Sequence, residues 1–250
     1  VFDFLINYII LLALVVLFIW LNTIKVPNEN FYSYMEEHFN TLVYLMASVF
    51  LLCFTIYFYY FFEDKGVLAT QKSIWLIFLM LDICILICYF FNIYSRPIAL
   101  LALLALMLMG RRDAIFLNVI FALMMFAIDN FSNFSEINAY ANALPGTPLM
   151  TFSAGMIAIF VGNQVKTRLR SFLTGFAVCI PILLMIACLE YNRGLEMVYL
   201  LLYGLEAGIF SAVLFMALLP VFEAVFNCIT DYRLRELTDH DAPLMREMKD

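Results

Sequence analysis

Charged residues are scarce in this 250-residue chain. Lysine, arginine, aspartate and glutamate make up 14% of the sequence, whereas hydrophobic residues make up 65%. Soluble domains contain about a quarter charged residues and about half apolar ones. This shortage of charge, with a mean hydropathy of +0.95, excludes an ordinary soluble domain built around one core. Basic patches interleaved with aromatic residues are absent too, so the sequence gives no sign of a nucleic-acid partner.

Histidine is also nearly absent, with only His38 and His240 in the whole chain. A two-metal hydrolase site needs several histidine and aspartate ligands from separate segments. His240 is followed by Asp241, but one such dipeptide cannot build that site. We therefore expect no catalytic residue, metal or other cofactor in this chain. The six cysteines lie in or beside apolar runs without a CxxC pair, which favours small hydrophobic core residues over metal ligands.

Long apolar runs recur along the chain and predict an all-α, polytopic membrane bundle. The candidate spans are Phe2–Leu21, Thr41–Phe62, Ser73–Asn92, Ile93–Met109, Ala114–Ile128, Pro148–Gln164, Ser171–Glu190 and Met197–Val221. The runs Ile93–Met109 and Ala114–Ile128 are short and could form a re-entrant hairpin. Two thinned spans are the favoured alternative, because a hairpin would bring Arg111 and Arg112 near mid-bilayer at a high cost.

Basic residues in three short loops set the expected orientation. All three loops fall on one side when the eight spans alternate, and lysine and arginine mark the cytoplasmic side of membrane proteins. The loop Asp129–Thr147 carries no lysine or arginine, as an external loop should. We therefore expect the C-terminal tail to be cytoplasmic. The basic residues are Lys65 and Lys72, Arg111 and Arg112, and Lys166, Arg168 and Arg170.

Three polar residues stand within the predicted spans: Asp82, Asn118 and Glu206. Ionisable residues in a bilayer are costly and often functional. Asp82 and Glu206 could line a proton or cation path, which would make the chain a small secondary transporter or channel. The alternative is that each carboxyl is protonated or hydrogen-bonded to a neighbouring helix and contributes to packing. This alternative is favoured, since no basic residue stands mid-span beside either carboxyl.

Two other features of the spans each allow two interpretations. Arg96 precedes Pro97 and could bind a lipid headgroup, although such an arginine more often extends along the helix to the interface. Gly204 and Gly208 lie four residues apart in the last span. Their small-residue face fits either a homodimer contact or packing within the chain.

The end of the chain carries the most specific pattern. The last span runs into LPxFE at 219–223, followed by LxEL at 234–237 and PLxR at 243–246. This exit motif consists of Pro220, Phe222, Glu223, Phe226, Thr230, Asp231, Glu236, Leu237, Pro243, Leu244 and Arg246. It resembles the exit from the membrane of the bacterial seven-transmembrane HD hydrolases, the PgpH-type cyclic-di-AMP phosphodiesterases. The stretches Arg96–Ile115 and Gly155–Gly175 are similar to the middle of that family's membrane region.

The resemblance implies three parts. These are an N-terminal anchor and short external loop over 1–40, a seven-helix membrane domain over 41–221, and a cytoplasmic linker over 222–250. It implies a bacterial plasma-membrane protein whose parent hydrolyses cyclic-di-AMP with two divalent metal ions, Mn or Fe, in a cytoplasmic HD domain. We expect this chain to be a fragment that lacks that domain. Its partners would be the bilayer, the HD domain of the parent and, as an open alternative, a second copy. Glu223 would couple the membrane domain to the HD domain, or else be a solvated or headgroup-level acid.

Overall fold

The computed structural model describes residues 2–25, 36, 39–63, 70–132, 146–164 and 168–227, and its regular structure there is all helical. The eight α-helices are α1 Phe2–Lys25, α2 Phe39–Glu63, α3 Gln71–Tyr89, α4 Leu100–Leu108, α5 Arg111–Ser132, α6 Thr147–Gly162, α7 Arg168–Leu189 and α8 Glu196–Phe226. A short 3₁₀ turn, Tyr191–Arg193, joins α7 to α8. The predicted all-α bundle is confirmed.

Five of these helices, α2, α3, α5, α7 and α8, are long and apolar enough to cross a membrane. Two shorter apolar helical stretches, Asp3–Leu17 and Thr147–Gly162, lie in α1 and α6. The chain is therefore an integral membrane protein in the part that the structure describes. Most predicted spans match a helix within a few residues.

The predicted span Ile93–Met109 is wrong in its first half. Only Leu100–Leu108 is helical, and nine residues extend about 14 Å, roughly half of a bilayer's hydrocarbon core of about 30 Å. Residues 90–99, the α3–α4 connection, form turns instead. The predicted span Ala114–Ile128 is confirmed as a helix, but it is not thinned, because α5 has 22 residues and runs from Arg111 to Ser132.

The α4 helix lies at the centre of the bundle, where it contacts α3, α5, α6 and α8. Its residues from Leu100 to Leu106 are all buried. A helix that is apolar all round is stable only when it is surrounded. Non-helical backbone at membrane depth likewise requires burial in protein, and Ile93, Tyr94 and Ile98 of the α3–α4 connection are buried.

Side-chain contacts identify one end of the bundle, which we call the basic end. There Arg112 pairs with Glu63, and the Tyr59 hydroxyl donates to Asp113 Oδ1 at 3.4 Å. Arg111 lies over the ring of Phe160, 4.9 Å from its centroid. These contacts join the end of α2, the start of α5 and the end of α6. They bring together the helix ends that lead into the three basic loops, as the orientation argument predicts.

Helices α7 and α8 form the most closely packed pair, through glycines. A Cβ atom on Gly208 would lie 2.3 Å from Cys179 Sγ and 2.6 Å from the carbonyl oxygen of Gly175. A Cβ atom on Gly204 would lie 2.8 Å from Ile186 Cδ1. The Gly204 and Gly208 face is therefore used for packing within the chain, which was the second of the two interpretations.

The α8 helix is longer than its partner α7. It has 31 residues against 22, and Gly208 lies beside Gly175. Eighteen residues follow Gly208 within α8, but only seven precede Gly175 within α7. At 1.5 Å per residue, α8 therefore extends about 16 Å past the level at which α7 begins. The exit motif begins on this extension.

Candidate functional site

A buried ion pair lies at the end of the bundle opposite the basic end. Arg96 of the α3–α4 connection places Nη1 2.6 Å and 2.7 Å from the two carboxylate oxygens of Asp129, near the end of α5. The two side chains are only 12% and 1% exposed. The predicted extension of Arg96 to the interface, or to a lipid headgroup, is therefore wrong. Burial of the guanidinium is possible because the carboxylate compensates its charge.

A second buried contact involves the same connection. The Tyr94 hydroxyl donates to Glu190 Oε1 at 2.6 Å. Glu190 immediately follows α7, and its second carboxylate oxygen lies 2.5 Å from Arg193 Nε. Tyr94 and Glu190 are 2% and 1% exposed. The four residues Tyr94, Arg96, Asp129 and Glu190 are called the tether cluster below.

The tether cluster fixes the α3–α4 connection to two helices at once. Arg96 holds it to α5, and Tyr94 holds it to the end of α7, directly before the turn into α8. The turns of the connection satisfy its own backbone, with Ser95 N donating to the Asn92 carbonyl at 2.9 Å and Ile98 N to the Arg96 carbonyl at 2.8 Å. Such charge-assisted contacts in a low dielectric have strong geometric preferences. The arrangement links α5 to the end of α7 through one short segment.

Sequence reasoning missed the tether cluster. The sequence pattern places Asp129 and Glu190 at the margins of external loops, and Tyr94 within an apolar span. One signal was available. Arg96 stands in an apolar run, and acids end two spans on the same side of the predicted topology. Arg96 and Asp129 are 33 residues apart in the sequence, and Tyr94 and Glu190 are 96 residues apart. Only the folded packing brings each pair together.

The three intramembrane polar residues lie in different surroundings. Asp82 of α3 is 8% exposed, and its Oδ1 atom has no hydrogen-bond partner among the described residues. Asn118 of α5 is fully buried, and its Nδ2 donates to the Phe152 carbonyl of α6 at 3.0 Å. Glu206 lies on α8 with an exposed side chain. Asp82 thus faces the bundle interior and Glu206 its outer surface.

The described part of the exit motif lies on the extension of α8. Pro220 and Val221 are exposed, whereas Phe222 and Glu223 are 2% and 3% exposed. The Phe222 ring stacks on that of Phe226, with centroids 6.1 Å apart. The predicted alternative of a solvated Glu223 is therefore wrong, because its side chain is enclosed. The remaining motif residues, Thr230, Asp231, Glu236, Leu237, Pro243, Leu244 and Arg246, lie outside the described residues, as do His38 and the His240–Asp241 pair.

No group of three or more histidine, cysteine, aspartate or glutamate side chains in the described ranges could hold a metal ion. The tether cluster supplies two carboxylates, but each already faces an arginine. Its chemistry is that of structural ion pairs.

Comparison with known proteins gives two matches. Residues 3–230 match the family described as 7TM receptor with intracellular HD hydrolase. The chain is also 30% identical over 163 residues to the cyclic-di-AMP phosphodiesterase PgpH of Bacillus subtilis (strain 168). This second match covers 62% of the chain and 22% of that relative's length. No solved structure matches the chain significantly.

Proposed function

The chain belongs to the family of 7TM receptors with an intracellular HD hydrolase, and on that premise we propose that it is the membrane domain of a bacterial cyclic-di-AMP phosphodiesterase. The observation that carries the proposal is the extent of the family match, which runs from the start of α1 to just past the end of α8. The relative with 30% identity is named for the same activity.

The domain holds a cytoplasmic HD domain of its parent at the membrane and transmits a signal to it through α8. Two features support this role. The tether cluster joins the α3–α4 connection to the end of α7, directly before α8. At its other end α8 carries the enclosed Phe222 and Glu223 on the extension past α7. A movement at the tether cluster would therefore reach the exit motif through one continuous helix.

The basic end faces the cytoplasm of the bacterium and the tether cluster faces the outer side of the plasma membrane. This orientation rests on the positive-inside preference and on the contacts of Arg111 and Arg112. The tether cluster then lies on the side from which an extracytoplasmic signal would arrive.

Hydrolysis itself belongs to the parent's HD domain. Two divalent metal ions, Mn or Fe, held there would supply the activated water that attacks the phosphodiester. The chain's own residues contribute position and coupling, and residues 1–250 alone should not hydrolyse cyclic-di-AMP.

The first experiment is to read the parent gene past the codon for Asp250 and to assay its complete product in membranes. An in-frame continuation rich in histidine and aspartate, with metal-dependent conversion of cyclic-di-AMP to the linear dinucleotide, is the expected result. A stop codon at this point, or a complete product without this activity, would overturn the proposal. Cyclic-di-GMP serves as the control substrate.

Residues 1–250 in liposomes provide the second arm. They should show neither phosphodiesterase activity nor proton or cation flux, and Asp82→Asn and Glu206→Gln should leave the flux at background. Flux that these substitutions abolish would instead establish the transporter or channel alternative.

A further inference from the structure

Glu206 lies at the middle of the bundle's depth. Its helical neighbours Gly204 and Gly208 contact Ile186 and Cys179 of α7, so Glu206 lies level with the stretch between those two residues of Arg168–Leu189. At 1.5 Å per residue it also lies about 15 Å from the first residue of α8. Glu206 is also the one charged residue of the sequence between Glu196 and Glu223. Either surface of a hydrocarbon core of about 30 Å is therefore about 15 Å away from this carboxyl.

The side chain of Glu206 is exposed, and the described part of the chain gives it neither a hydrogen bond nor an ion pair. A glutamate is too short to reach the interface from this depth. Ionisable side chains within a membrane nearly always face the interior of a bundle and pair with another polar group. The position of Glu206 on the outer surface therefore indicates a polar partner outside the described chain.

The surface that carries Glu206 is separate from the packing face of α8. Successive residues of a helix are 100° apart, so Glu206 points about 200° away from both Gly204 and Gly208. Apolar side chains on the same side are largely exposed, among them Tyr199 at 67%, Leu202 at 51% and Val213 at 42%. The residues follow each other at alternating spacings of three and four along the helix: Tyr199, Leu202, Glu206, Ile209 and Val213. We call these five residues the seam.

Alternating three-and-four spacing is the pattern of two helices packed in parallel, where a residue of the seam meets its own counterpart. A single polar residue at the centre of such a seam fixes its register and the number of helices. Every copy of the chain inserts with the same orientation. A symmetric pair therefore brings two Glu206 carboxyls to the same depth without any other polar residue.

We propose that the seam binds the seam of a second copy of the chain, about a two-fold axis perpendicular to the membrane, with the two Glu206 carboxyls in contact. A protonated carboxyl donates its O–H to a carboxyl oxygen of the other copy, which removes both from lipid. This homodimer would also place the two C-terminal ends of α8 on opposite sides of one axis. The inference rests on α8 alone and does not depend on a hydrolase activity.

Disulfide cross-linking in membranes tests the geometry. The background chain has Cys188, which is exposed, replaced by serine, and Cys228 is replaced by serine as well. In this background Leu202→Cys should form covalent dimers on mild oxidation, because seam positions approach within the Cα distance of about 7 Å that a disulfide needs. The matched control is Leu51→Cys, an equally apolar and exposed position (61%) in the middle of α2. Dimers from the control at the same yield, or no dimers from Leu202→Cys, overturn the seam.

Dilution in lipid tests the carboxyl pair. Labelled chains in liposomes should show energy transfer that falls as the protein-to-lipid ratio is lowered. The protein-to-lipid ratio at which half of the dimers have dissociated should be about 3- to 20-fold higher for Glu206→Leu than for the wild type, as expected for the loss of one interhelical hydrogen bond. Glu206→Gln should raise it less, because two amides can still pair. Equal dissociation of the wild type and Glu206→Leu, or a wild-type chain that is monomeric at every ratio, overturns the proposal.

Discussion

Arg96 Nη1 lies between the two carboxylate oxygens of Asp129, at 2.6 Å and 2.7 Å, and both side chains are enclosed by the bundle. The pair joins a non-helical connection to the end of a long helix, α5. The carboxylate compensates the positive charge of Arg96, which is enclosed within the α3–α4 connection. Removing one partner leaves the other charge buried and unpaired, which is far less favourable than removing both.

We expect Arg96→Met to lower the free energy of unfolding by about 3–5 kcal/mol, and Asp129→Leu to do the same, because each leaves an uncompensated buried charge. The double substitution should recover most of this loss. The measurement is unfolding in mixed detergent and lipid, followed by the fluorescence of the chain's two tryptophans.

The control for the Arg96 experiment is Arg112→Met, which breaks a pair with Glu63 whose side chains are 68% and 38% exposed. Exposed pairs contribute about 0–1 kcal/mol. Two results would contradict the assignment of this pair as the main electrostatic tether. One is a double variant whose loss of unfolding free energy equals the sum of the losses of Arg96→Met and Asp129→Leu. The other is a loss for Arg96→Met that is no larger than that of Arg112→Met.

The sequence predicted the helices well where their outer surface meets lipid. The apolar runs at α2, α3, α7 and α8 are long, because positions that contact lipid and positions that are buried in protein are both apolar. The same property caused the error at Ile93–Met109. Ile93, Ile98 and Ala99 are apolar because they are enclosed by protein, and composition cannot distinguish that from exposure to lipid. Only contacts with neighbouring helices separate the two cases.

The exit motif illustrates what a local pattern can and cannot predict. LPxFE led to the correct family, which the match over 3–230 confirms. It could not predict that Glu223 is enclosed, since its burial depends on how far α8 extends and on which side of the helix faces the bundle. Arg96 and Asp129 were each visible in the sequence, but their partnership across 33 residues required the fold of the α3–α4 connection.

The close approach of α7 and α8 gives a second prediction. Gly208→Ala should lower the free energy of unfolding by about 1–3 kcal/mol, the usual cost of inserting a methyl into a packed interior. The new methyl would meet the carbonyl oxygen of Gly175 at 2.6 Å, and backbone cannot move aside as a side chain can. The same unfolding assay measures the effect.

Ala217→Val is the matched control for Gly208→Ala, because Ala217 lies on the exposed side of α8. Surface substitutions usually change stability by less than about 0.5 kcal/mol. If Gly208→Ala is as mild as Ala217→Val, then α7 and α8 are farther apart than the structure shows.

Asn118 and Gly155 should be energetically coupled. A Cβ atom on residue 155 would lie 2.0 Å from Asn118 Oδ1, while Asn118 Nδ2 donates to the Phe152 carbonyl. Gly155→Ala should therefore destabilise by about 1–3 kcal/mol. In an Asn118→Ala background the same substitution should be milder by about 1 kcal/mol or more, because the asparagine amide is no longer in the way. Losses that add within about 0.5 kcal/mol would show that the two positions do not touch.

Tyr94→Phe tests whether the tether cluster transmits a signal. It removes one hydroxyl and leaves the volume of the ring, so Glu190 Oε1 loses its donor at 2.6 Å while packing is retained. Leaving a buried acceptor unsatisfied should lower stability by about 1–3 kcal/mol.

In the complete parent, we expect kcat for cyclic-di-AMP to change at least twofold with KM unchanged. Tyr94 contacts Glu190, close to the beginning of α8, whereas the hydrolase follows the other end of that helix, so Tyr94 does not contact substrate. Tyr191→Phe is the matched control, since it removes a hydroxyl from an exposed ring (77%) on the same side of the membrane and outside the seam. Equal kcat values for the wild type and both variants, with Tyr94→Phe stably folded, would mean that this hydrogen bond holds the bundle together without communicating with the HD domain.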